Sequence, residues 1–559
     1  MSATREAGAF SDDTGTTFRT WAPHADRVEV RLFDADRATT RRLSPAGEGW
    51  FEGRLENVGP GAVYKLVVDG RALPDPYARF LPKGVHGPAE VVRRESASPL
   101  QPALPLDRYV IYELHVGAFT PQGTYAAAEE RLGDLAALGV TALEIMPVST
   151  FPGARGWGYD GVAHFAPFAP YGRPEALRRL VARAHALGLA VLLDVVYNHF
   201  GPSGNYLGAF APEYFRTDRD TPWGGAPDYR QPAMRRYLLD NARMWLEEYG
   251  FDGLRLDATH ALHDESPKHV LRELRETFPH RMFIAEDERN DPTLVTENGL
   301  DAVWADDFHH QFRVLLTRER DGYYGAYRGA LEDLARTINR GWLYEGQHYE
   351  PWGRARGAPA DGLEPMRLVY CVENHDQVGN RAFGTRLDRD AGVQALRAAT
   401  EVLLFLPMTP LLFMGQEWAA TSPFLFYSDH DADLGRVVSE GRREEFKTFR
   451  AFSDPAVLAT IPDPQDPATF EASKLRWEER GREPHRSFLV AVRRALQRRR
   501  RHAALSSAPM AKGTLQASVR DGLLHIERLG ARDRVRLIAN LSPNTIAGVG
   551  PFGTVIHQG

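Results

Sequence analysis

Short runs in which apolar and polar residues alternate recur through the first part of the chain, at 17–21, 28–33, 50–55 and 63–68. Alternation with a period of two is typical of strands with one buried face, and turns bearing glycine or proline separate several of these runs. The spacing predicts a small immunoglobulin-like β-sandwich over residues 1–98. Three prolines in the following stretch, 96–105, indicate a linker.

From residue 109 the pattern changes to short, almost wholly apolar runs that alternate with segments of helical periodicity. Apolar strands of this kind are buried on both faces, which is typical of a parallel sheet. Eight runs are predicted as strands, at 110–116, 142–148, 190–197, 253–257, 282–286, 302–306, 368–373 and 410–415. Helices are predicted between them at 125–138, 174–187, 232–249, 267–277 and 391–404. This alternation predicts a (β/α)8 TIM barrel over residues 106–504, with inserted loops at 200–231 and 307–367.

The last part of the chain returns to short alternating runs. After a final barrel helix at 486–501, the runs 514–519, 523–528, 535–540 and 545–556 predict a small C-terminal β domain over residues 505–559. The arginines 498–501 continue the periodicity of that helix, so we expect them on its solvated face. The predicted fold class is therefore α/β, a TIM barrel between an N-terminal β-sandwich and a small C-terminal β domain.

Composition and charge narrow the class of protein. The net charge of −6 and the isoelectric point near 6.4 argue against a nucleic-acid-binding protein. The longest apolar run, 402–414, is too short to span a membrane and contains two prolines. The single cysteine, Cys371, cannot form an intrachain disulfide, and residues 1–13 lack the pattern of a secretory signal. We therefore expect a cytoplasmic protein with no nucleic-acid or membrane partner.

Carboxylates and imidazoles follow the predicted barrel strands from the third to the seventh. The C-terminal ends of TIM-barrel strands surround one mouth, where catalytic residues lie. One polar strand end is commonly a cap, but five successive ends of this kind indicate a functional site. In strand order these residues are Asp194, Asn198 and His199; Arg255, Asp257 and His260; Glu286; Asp306, Asp307, His309 and His310; and Glu373, His375, Asp376 and Gln377.

Arg255 and Asp257 lie two residues apart in the fourth predicted strand, so their side chains share one face. The positive charge of an arginine favours the ionised form of a neighbouring carboxylate, which is the form a nucleophile requires. A purely structural ion pair at a strand end is the alternative for these two residues.

Sequence motifs limit the kinds of chemistry that this predicted mouth could perform. A metal site is an alternative because histidine and aspartate are abundant, although no HExxH or CxxC spacing occurs. Several carboxylates beside aromatic residues fit glycoside chemistry better, because a glycosidic bond needs one acid at the leaving oxygen and one carboxylate at the oxocarbenium-like centre. The aromatic candidates lie in loops rich in glycine and proline, where a core role is less expected: Trp157, Tyr159, Trp223 and Tyr229.

The segments 194–199, 253–260 and 373–376, with Glu286, resemble the four conserved regions of the α-amylase superfamily, glycoside hydrolase family 13, in order and spacing. The resemblance implies a retaining mechanism with Asp257 as nucleophile, Glu286 as general acid/base and Asp376 as transition-state stabiliser. It also implies that sugar around the cleaved bond is bound by Arg255, His199, His260, His375, Tyr159 and Asp160. We expect the acidic neighbours of Glu286, Asp287 and Glu288, to favour its protonated form.

Within that superfamily, the ends of the fifth, sixth and seventh strands are similar to those of maltooligosyltrehalose trehalohydrolases. The resemblance implies hydrolysis of the α-1,4 bond that joins trehalose to a maltooligosyl chain, with maltooligosyltrehalose as substrate and trehalose and maltooligosaccharide as products. Further residues are then candidates for sugar contact, unless they only brace the loops: Asp306, Asp307, His309, His310, Gln377, Trp157 and Trp223.

Two other functions remain open at this point. A glycogen branching or debranching enzyme would share the three acids and release no trehalose, whereas a non-catalytic carbohydrate-binding barrel would usually lack one of them. No cofactor is needed for the implied mechanism. Asn198 occupies a position that binds calcium in many α-amylases, but no further ligand cluster accompanies it, so we expect no metal.

Overall fold

The computed structural model of the chain describes residues 6–34, 37–95, 103–447, 454–502, 510, 513–530 and 534–558. Most of the predicted linker, 96–102, and the predicted boundary between residues 504 and 505 lie outside the described residues.

The N-terminal part forms two antiparallel sheets packed face to face. One has the strand order Gly8–Ser11, Gly15–Trp21, Trp50–Glu56 and Ser44–Pro45. The other has the order Arg37–Arg42, Val28–Asp34, Val63–Val68 and Arg71–Leu73, with Ala89–Glu90 also paired to Val63–Val68. Alternate residues such as Phe18, Val30, Phe51 and Leu66 fill the space between the sheets. The same cluster includes Phe210 from the barrel region, so the sandwich packs directly against the barrel's loops.

Eight parallel strands close into the predicted barrel, each paired with its sequence neighbours and the last with the first. In order they are Ile111–Leu114, Ala142–Ile145, Ala190–Val195, Gly253–Leu256, Met282–Ala285, Ala302–Trp304, Leu368–Cys371 and Thr409–Phe413. The fold class predicted from the sequence is confirmed.

The side chains that point into the barrel form two kinds of layer. Apolar residues fill the lower layer, among them Ile111, Leu192, Ile284 and Leu411. Two residues further along their strands, the same inward face carries charged side chains: Glu113, Glu144, Asp194 and Arg255. The period of two therefore places buried charge directly beneath the mouth.

Helices and short elements surround the barrel. The helices over the first half are Val116–Phe119, Tyr125–Leu138, Pro174–Ala186, Leu207–Phe210, Pro232–Arg243, which continues as the π-helix Met244–Glu248, and Val270–Thr277. Those over the second half are Thr293–Thr296, Asp307–Thr317, Leu331–Arg340, His375–Gly379, Leu387–Ala391, Val393–Phe405, Ala432–Phe446, Pro455–Leu458, Pro467–Ala472 and His485–His502. Small two-stranded sheets pair Ser149–Thr150 with Ala163–Pro167, Phe215–Thr221 with Gly224–Pro227, and Gln347–Tyr349 with Arg354–Arg356. The segment 307–367 is thus not simply an inserted loop, because it begins with a barrel helix and contains a second one.

The C-terminal part is one antiparallel sheet of the strands Leu515–Arg520, Leu523–Leu529, Arg534–Ala539 and Thr554–Gln558. Arg499 departs from the solvated face predicted for the arginine run, since its guanidinium is buried. It donates to Met408 O at 2.7 Å and also to Leu406 O. Arg528 donates to Phe405 O at 3.0 Å. Arg528 thus satisfies the carbonyl of the last residue of the helix Val393–Phe405, and Arg499 satisfies carbonyls of the segment that directly follows this helix.

Among the described helices, none combines the length and the apolar character that crossing a membrane requires.

Candidate active site

Arg255 lies at the centre of the barrel mouth and is fully buried. Its Nη1 donates to both carboxylate oxygens of Asp194 at 2.9 Å and to Asp257 Oδ1 at 3.0 Å. Its Nη2 forms an ion pair with Glu286, 2.8 Å from Oε2. The guanidinium also lies 4.4 Å from the ring centroid of Trp304. One cation therefore fixes carboxylates from the third, fourth and fifth strands relative to one another.

Asp257 follows the last residue of the fourth strand and remains partly open to the mouth, with a side chain that is 12% exposed. Asn198 donates from Nδ2 to Asp257 Oδ2 at 2.7 Å and to its backbone oxygen at 2.8 Å. The next residue, Ala258, has a φ of +38°, a left-handed conformation that is uncommon outside glycine. This turn directs the Ala258 N–H to Glu286 Oε2 at 2.9 Å. The strained backbone thus helps to hold the two acids side by side.

Glu286 has the environment of an acid that keeps its proton. Burial raises the pKa of Glu286, the negative charge of Asp257 adds to the rise, and Arg255 opposes it. The raised pKa has the predicted direction, but Asp287 and Glu288 are not among its main causes, since Asp287 is paired with Arg289 and the Glu288 side chain is half exposed. The raised pKa comes instead from the packing of the mouth.

His375 is held by a carboxylate from the first strand. Glu113 accepts hydrogen bonds from the backbone N–H of His375 at 2.9 Å and from its Nδ1 at 2.5 Å. Burial opposes protonation of the ring, but the charges of Asp376 and Glu113 outweigh it and raise the pKa of His375 to about 10. The ring stacks on Tyr159 with centroids 5.1 Å apart, and the Tyr159 hydroxyl donates to Asp194 Oδ2 at 2.6 Å. His375 is therefore a fixed cation at the wall of the mouth.

Replacing Glu113 with glutamine should lower the pKa of His375 by roughly 1–3 pH units, because a buried opposite charge is removed. We expect kcat/KM to fall about 10-fold, since the ring would lose both charge and orientation. Histidine NMR titration measures the first effect and sugar release the second. Glu130→Gln, on an exposed helix face, is the matched control. An unchanged pKa of His375 would contradict this account of the pair.

The other sugar-contact candidates lie around these acids. Asp376 is partly exposed, and burial together with the charge of Glu286 raises its pKa although His375 opposes the rise. Burial lowers the pKa of His199 to about 4, so this ring is neutral near pH 7. Asp160 lies 3.7 Å from His430 Nε2. His260 Nε2 lies 3.7 Å from Glu288 Oε1.

The candidate residues that follow the sixth strand lie in two different environments, with Asp307 apart from Asp306, His309 and His310. Asp306 Oδ1 lies 3.2 Å from His309 Nε2, and the negative charge of Asp306 contributes to the raised pKa of Glu286. His310 Nδ1 lies 2.9 Å from the hydroxyl of Tyr327. Gln377, in the helix that follows the seventh strand, accepts from the Tyr324 hydroxyl at 2.8 Å. Asp306 thus lies beside Glu286, whereas His310 and Gln377 are held by tyrosines of the segment 306–327.

Asp307 has a different position from the one predicted. It is fully buried, and its Oδ2 accepts from Asn290 Nδ2 at 2.9 Å and from Leu343 N at 2.7 Å. Its Oδ1 accepts from the Tyr327 hydroxyl at 2.6 Å and from Arg356 Nη1 at 3.0 Å. Because both oxygens are occupied by protein donors, the geometry does not suit the predicted sugar contact. Asp307 braces the inserted segments instead.

Asp307→Asn should destabilise the barrel by about 3–5 kcal/mol, because it leaves the buried charge of Arg356 without its partner. The shift of the urea unfolding transition measures this loss. Asp433→Asn, at an exposed position, should leave the transition unchanged. Normal stability with a raised KM would show that Asp307 contacts sugar after all.

Two of the aromatic candidates belong to the core. Trp157 is 5% exposed, and its indole N–H donates to Leu425 O at 2.9 Å. Tyr229 is 1% exposed and donates to Tyr197 O at 2.6 Å. The expectation that these rings lie outside the core is wrong, because the loops that carry them fold over the barrel rather than away from it. Trp223, by contrast, is 42% exposed.

Trp223 lies at the tip of the hairpin Phe215–Thr221 and Gly224–Pro227, where its ring stacks on His199 with centroids 3.9 Å apart. Tyr323 is 41% exposed and lies 4.8 Å from the ring of His310. The two inserted segments therefore each present one exposed ring beside a histidine of the site.

Three residues of this site were not assigned a role from the sequence: Glu113, Asp194 and Tyr323. Glu113 could have been found by applying the strand-end rule to the first strand, where it is the one acidic residue of Ile111–Leu114. Tyr323 had no such signal, because its position depends on how the segment after Thr317 folds. Within the described ranges, no group of three or more histidine, cysteine or acidic residues is arranged to hold a metal ion.

Comparisons with known proteins agree with this geometry. Residues 4–78 match the family model of carbohydrate-binding module 48 (isoamylase N-terminal domain), and residues 93–218 match that of the alpha amylase catalytic domain. A solved structure described as an alpha amylase from Salmonella typhimurium superposes with a TM-score of 0.91 at 35% identity, covering 99% of both chains. The barrel and its three acids thus define an α-amylase-type glycoside hydrolase.

Within that class, the levels of identity to two curated relatives distinguish trehalohydrolases from branching enzymes. The malto-oligosyltrehalose trehalohydrolase of Deinococcus radiodurans is 52% identical over 495 residues, which are 87% of this chain and 81% of the relative. A 1,4-alpha-glucan branching enzyme of Paramagnetospirillum magneticum is 30% identical over 77% of this chain and 63% of its own length. The chain belongs to the family of malto-oligosyltrehalose trehalohydrolases.

Proposed function

We propose that this protein hydrolyses the α-1,4-glucosidic bond between trehalose and the maltooligosyl chain of maltooligosyltrehalose. The products are free trehalose and a maltooligosaccharide. The observation that supports this most is the pairing of Asp257 and Glu286 with the two terminal nitrogens of Arg255, at the mouth of a barrel whose family is known. No cofactor takes part in this reaction scheme.

In the first step, Asp257 attacks the anomeric carbon of the glucose unit on the non-reducing side of the bond. Glu286 donates its proton to the oxygen that leaves with trehalose, and a covalent glycosyl–Asp257 intermediate forms. The raised pKa of Glu286 supports this role, because the acid form persists at higher pH than in an ordinary glutamate.

In the second step, the Glu286 carboxylate removes a proton from water, and the water oxygen attacks the same anomeric carbon. The bond to Asp257 breaks, the chain leaves with the α configuration retained, and Glu286 is again protonated. Asp376 and the His375 cation border the same space and are proposed to bind hydroxyls of the reacting sugar. Arg255 keeps the two acids in register throughout.

We propose the remaining sugar contacts from the positions of the side chains in the mouth. Tyr159, Asp160 and His199 line the non-reducing side of the cleaved bond, with Trp223 above His199. On the other side, the segment 306–327 is proposed to receive trehalose through Asp306, His309 and His310. Gln377, Trp157 and His260 are proposed to hold these groups in place.

The substrate separates this proposal from its rivals. We expect incubation with maltotriosyltrehalose to release trehalose and maltotriose, and incubation with amylopectin to cause little change. Chromatographic identification of the sugars measures both. New branch points or debranched chains from amylopectin would favour a branching or debranching enzyme, and no released sugar from either would favour a non-catalytic barrel.

We further propose that the chain is organised as residues 1–98, 106–504 and 505–559, in agreement with the sheets described above. A cytoplasmic location is also proposed, since a single cysteine suits a reducing compartment.

A further inference from the structure

A second groove lies outside the catalytic mouth, where the N-terminal part meets the barrel. It has a volume of about 500 Å³ and runs between residues 81–86 on one side and barrel residues 150, 152–153, 168–170, 203 and 429–431 on the other. This volume is in the range of small-molecule binding sites. We call it the distal groove.

The distal groove is connected to the catalytic mouth at two places. His430 lines it and lies 3.7 Å from Asp160, one of the residues beside the cleaved bond. Ser203 lines it too and follows His199 by four residues, a distance of at most about 15 Å along an extended chain. The groove and the catalytic mouth are therefore close together, with His430 between the groove and Asp160.

The barrel wall of the groove is fixed by specific contacts. Asp429 accepts from Ala154 N at 2.7 Å and pairs with Arg155 at 3.0 Å. The backbone N–H of His430 donates to Gln465 Oε1 at 3.0 Å. A wall held in this way is preorganised, so a ligand loses little free energy in ordering it.

The opposite wall is fixed as well. Val85 packs so closely on Gly204 that a side chain there would not fit, since a Cβ on Gly204 would lie 2.4 Å from a methyl of the valine. His86 Nδ1 lies 2.7 Å from the Tyr206 hydroxyl, and Lys65 Nζ donates to His86 O at 2.9 Å. His86 Nε2 makes no hydrogen bond with any of the described residues, and the amine of Lys83 is exposed nearby.

The lining suits a chain of sugars. Lys83, His86 and Ser203 supply hydrogen-bonding groups, and the aliphatic rings of Pro82 and Pro152 supply apolar surface beside them. We propose that the distal groove binds the glucose units of the maltooligosyl chain that lie farthest from the cleaved bond. This rests on the proposed function, because it takes the non-reducing part of the same substrate.

The test compares two substrate lengths in the full chain. We expect maltosyltrehalose, which has two glucose units before the cleaved bond, to end short of the groove, and maltopentaosyltrehalose, which has five, to enter it. For the double variant Lys83→Ala and His86→Ala, we expect kcat/KM to fall about 10-fold with the long substrate and less than about 2-fold with the short one. Arg71→Ala, exposed on the same N-terminal part, is the control and should change neither value.

The outcomes are distinguishable from failure of the proposed function. Trehalose release from the short substrate by the unaltered protein establishes the reaction on its own. An equal fall for both substrates would indicate damage to the fold, and an unchanged ratio of the two kcat/KM values would mean that the chain does not enter the groove. Either result overturns the proposal.

Discussion

Asp257→Asn is expected to reduce kcat on maltotriosyltrehalose by at least about 10⁴-fold, while the protein remains folded. The amide cannot form the glycosyl intermediate, because it is a far weaker nucleophile than a carboxylate. The amide has nearly the size of the acid, and its oxygen can still accept from Arg255 Nη1, although its NH2 group cannot accept from Asn198. Arg255 also keeps Asp194 and Glu286 as charged partners, so the barrel should be retained. Trehalose release and circular dichroism measure the two parts of this result.

A matched control for Asp257 is Asp220→Asn, which changes an exposed acid on the hairpin over the mouth. Its kcat should stay within about 2-fold of the unaltered protein, as surface substitutions usually have small effects. Activity of Asp257→Asn near that of the control would remove Asp257 from the reaction.

Glu286→Gln is expected to lower kcat by about 10²–10⁴-fold, because the leaving oxygen would depart without a proton. In the unaltered protein, activity should fall as the pH rises through the raised pKa of Glu286, since only the protonated form acts as the acid. That alkaline limb should be absent from the residual activity of the variant. A pH–rate profile of both proteins measures the difference.

The loss should depend on the leaving group. With α-maltosyl fluoride, fluoride leaves without a proton, so Glu286→Gln should still form the intermediate and then hydrolyse it slowly. Mass spectrometry should detect the added maltosyl group on the peptide that contains Asp257. Glu288→Gln, a half-exposed neighbour, is the control and should turn over normally. A normal rate for Glu286→Gln on maltotriosyltrehalose would assign the acid role elsewhere.

The barrel could be located from the sequence because burial on both faces leaves a clear apolar signal in each strand. The exact residue at which each strand ends was harder to predict from the sequence. The inward side chains change from apolar to charged while the backbone is still part of the sheet. The fourth strand ends at Leu256, and Asp257 lies just beyond it, where Ala258 turns with a positive φ. No local pattern announces that turn, which depends on Glu286 accepting from its N–H.

The acids themselves could be recognised because their order along the strands is a property of the sequence. The roles of the residues around the acids could not be predicted in this way, and Asp306 and Asp307 are an example. The two residues are adjacent and chemically equal, but one lies beside Glu286 and the other is enclosed by Asn290, Tyr327 and Arg356. Partners that distant in the chain become apparent only when the inserted segments are folded.

The same limit applies to the aromatic residues. Trp157 and Trp223 both lie beside glycine and were given the same expected role. Trp157 packs on Phe424 with ring centroids 5.1 Å apart, whereas Trp223 remains exposed above His199. Which loop folds inward is decided by long-range packing, and the composition of the loops is not enough to predict it.

Asp257 and Glu286 are proposed to cleave the bond next to trehalose with retention of configuration. Proton NMR of maltotriosyltrehalose hydrolysis tests both parts in one measurement, if spectra are taken before mutarotation. We expect trehalose and the α anomer of maltotriose to accumulate together in equal amounts, with the β anomer following later. Initial accumulation of the β anomer, or hydrolysis that yields glucose or maltose without trehalose, would contradict the account.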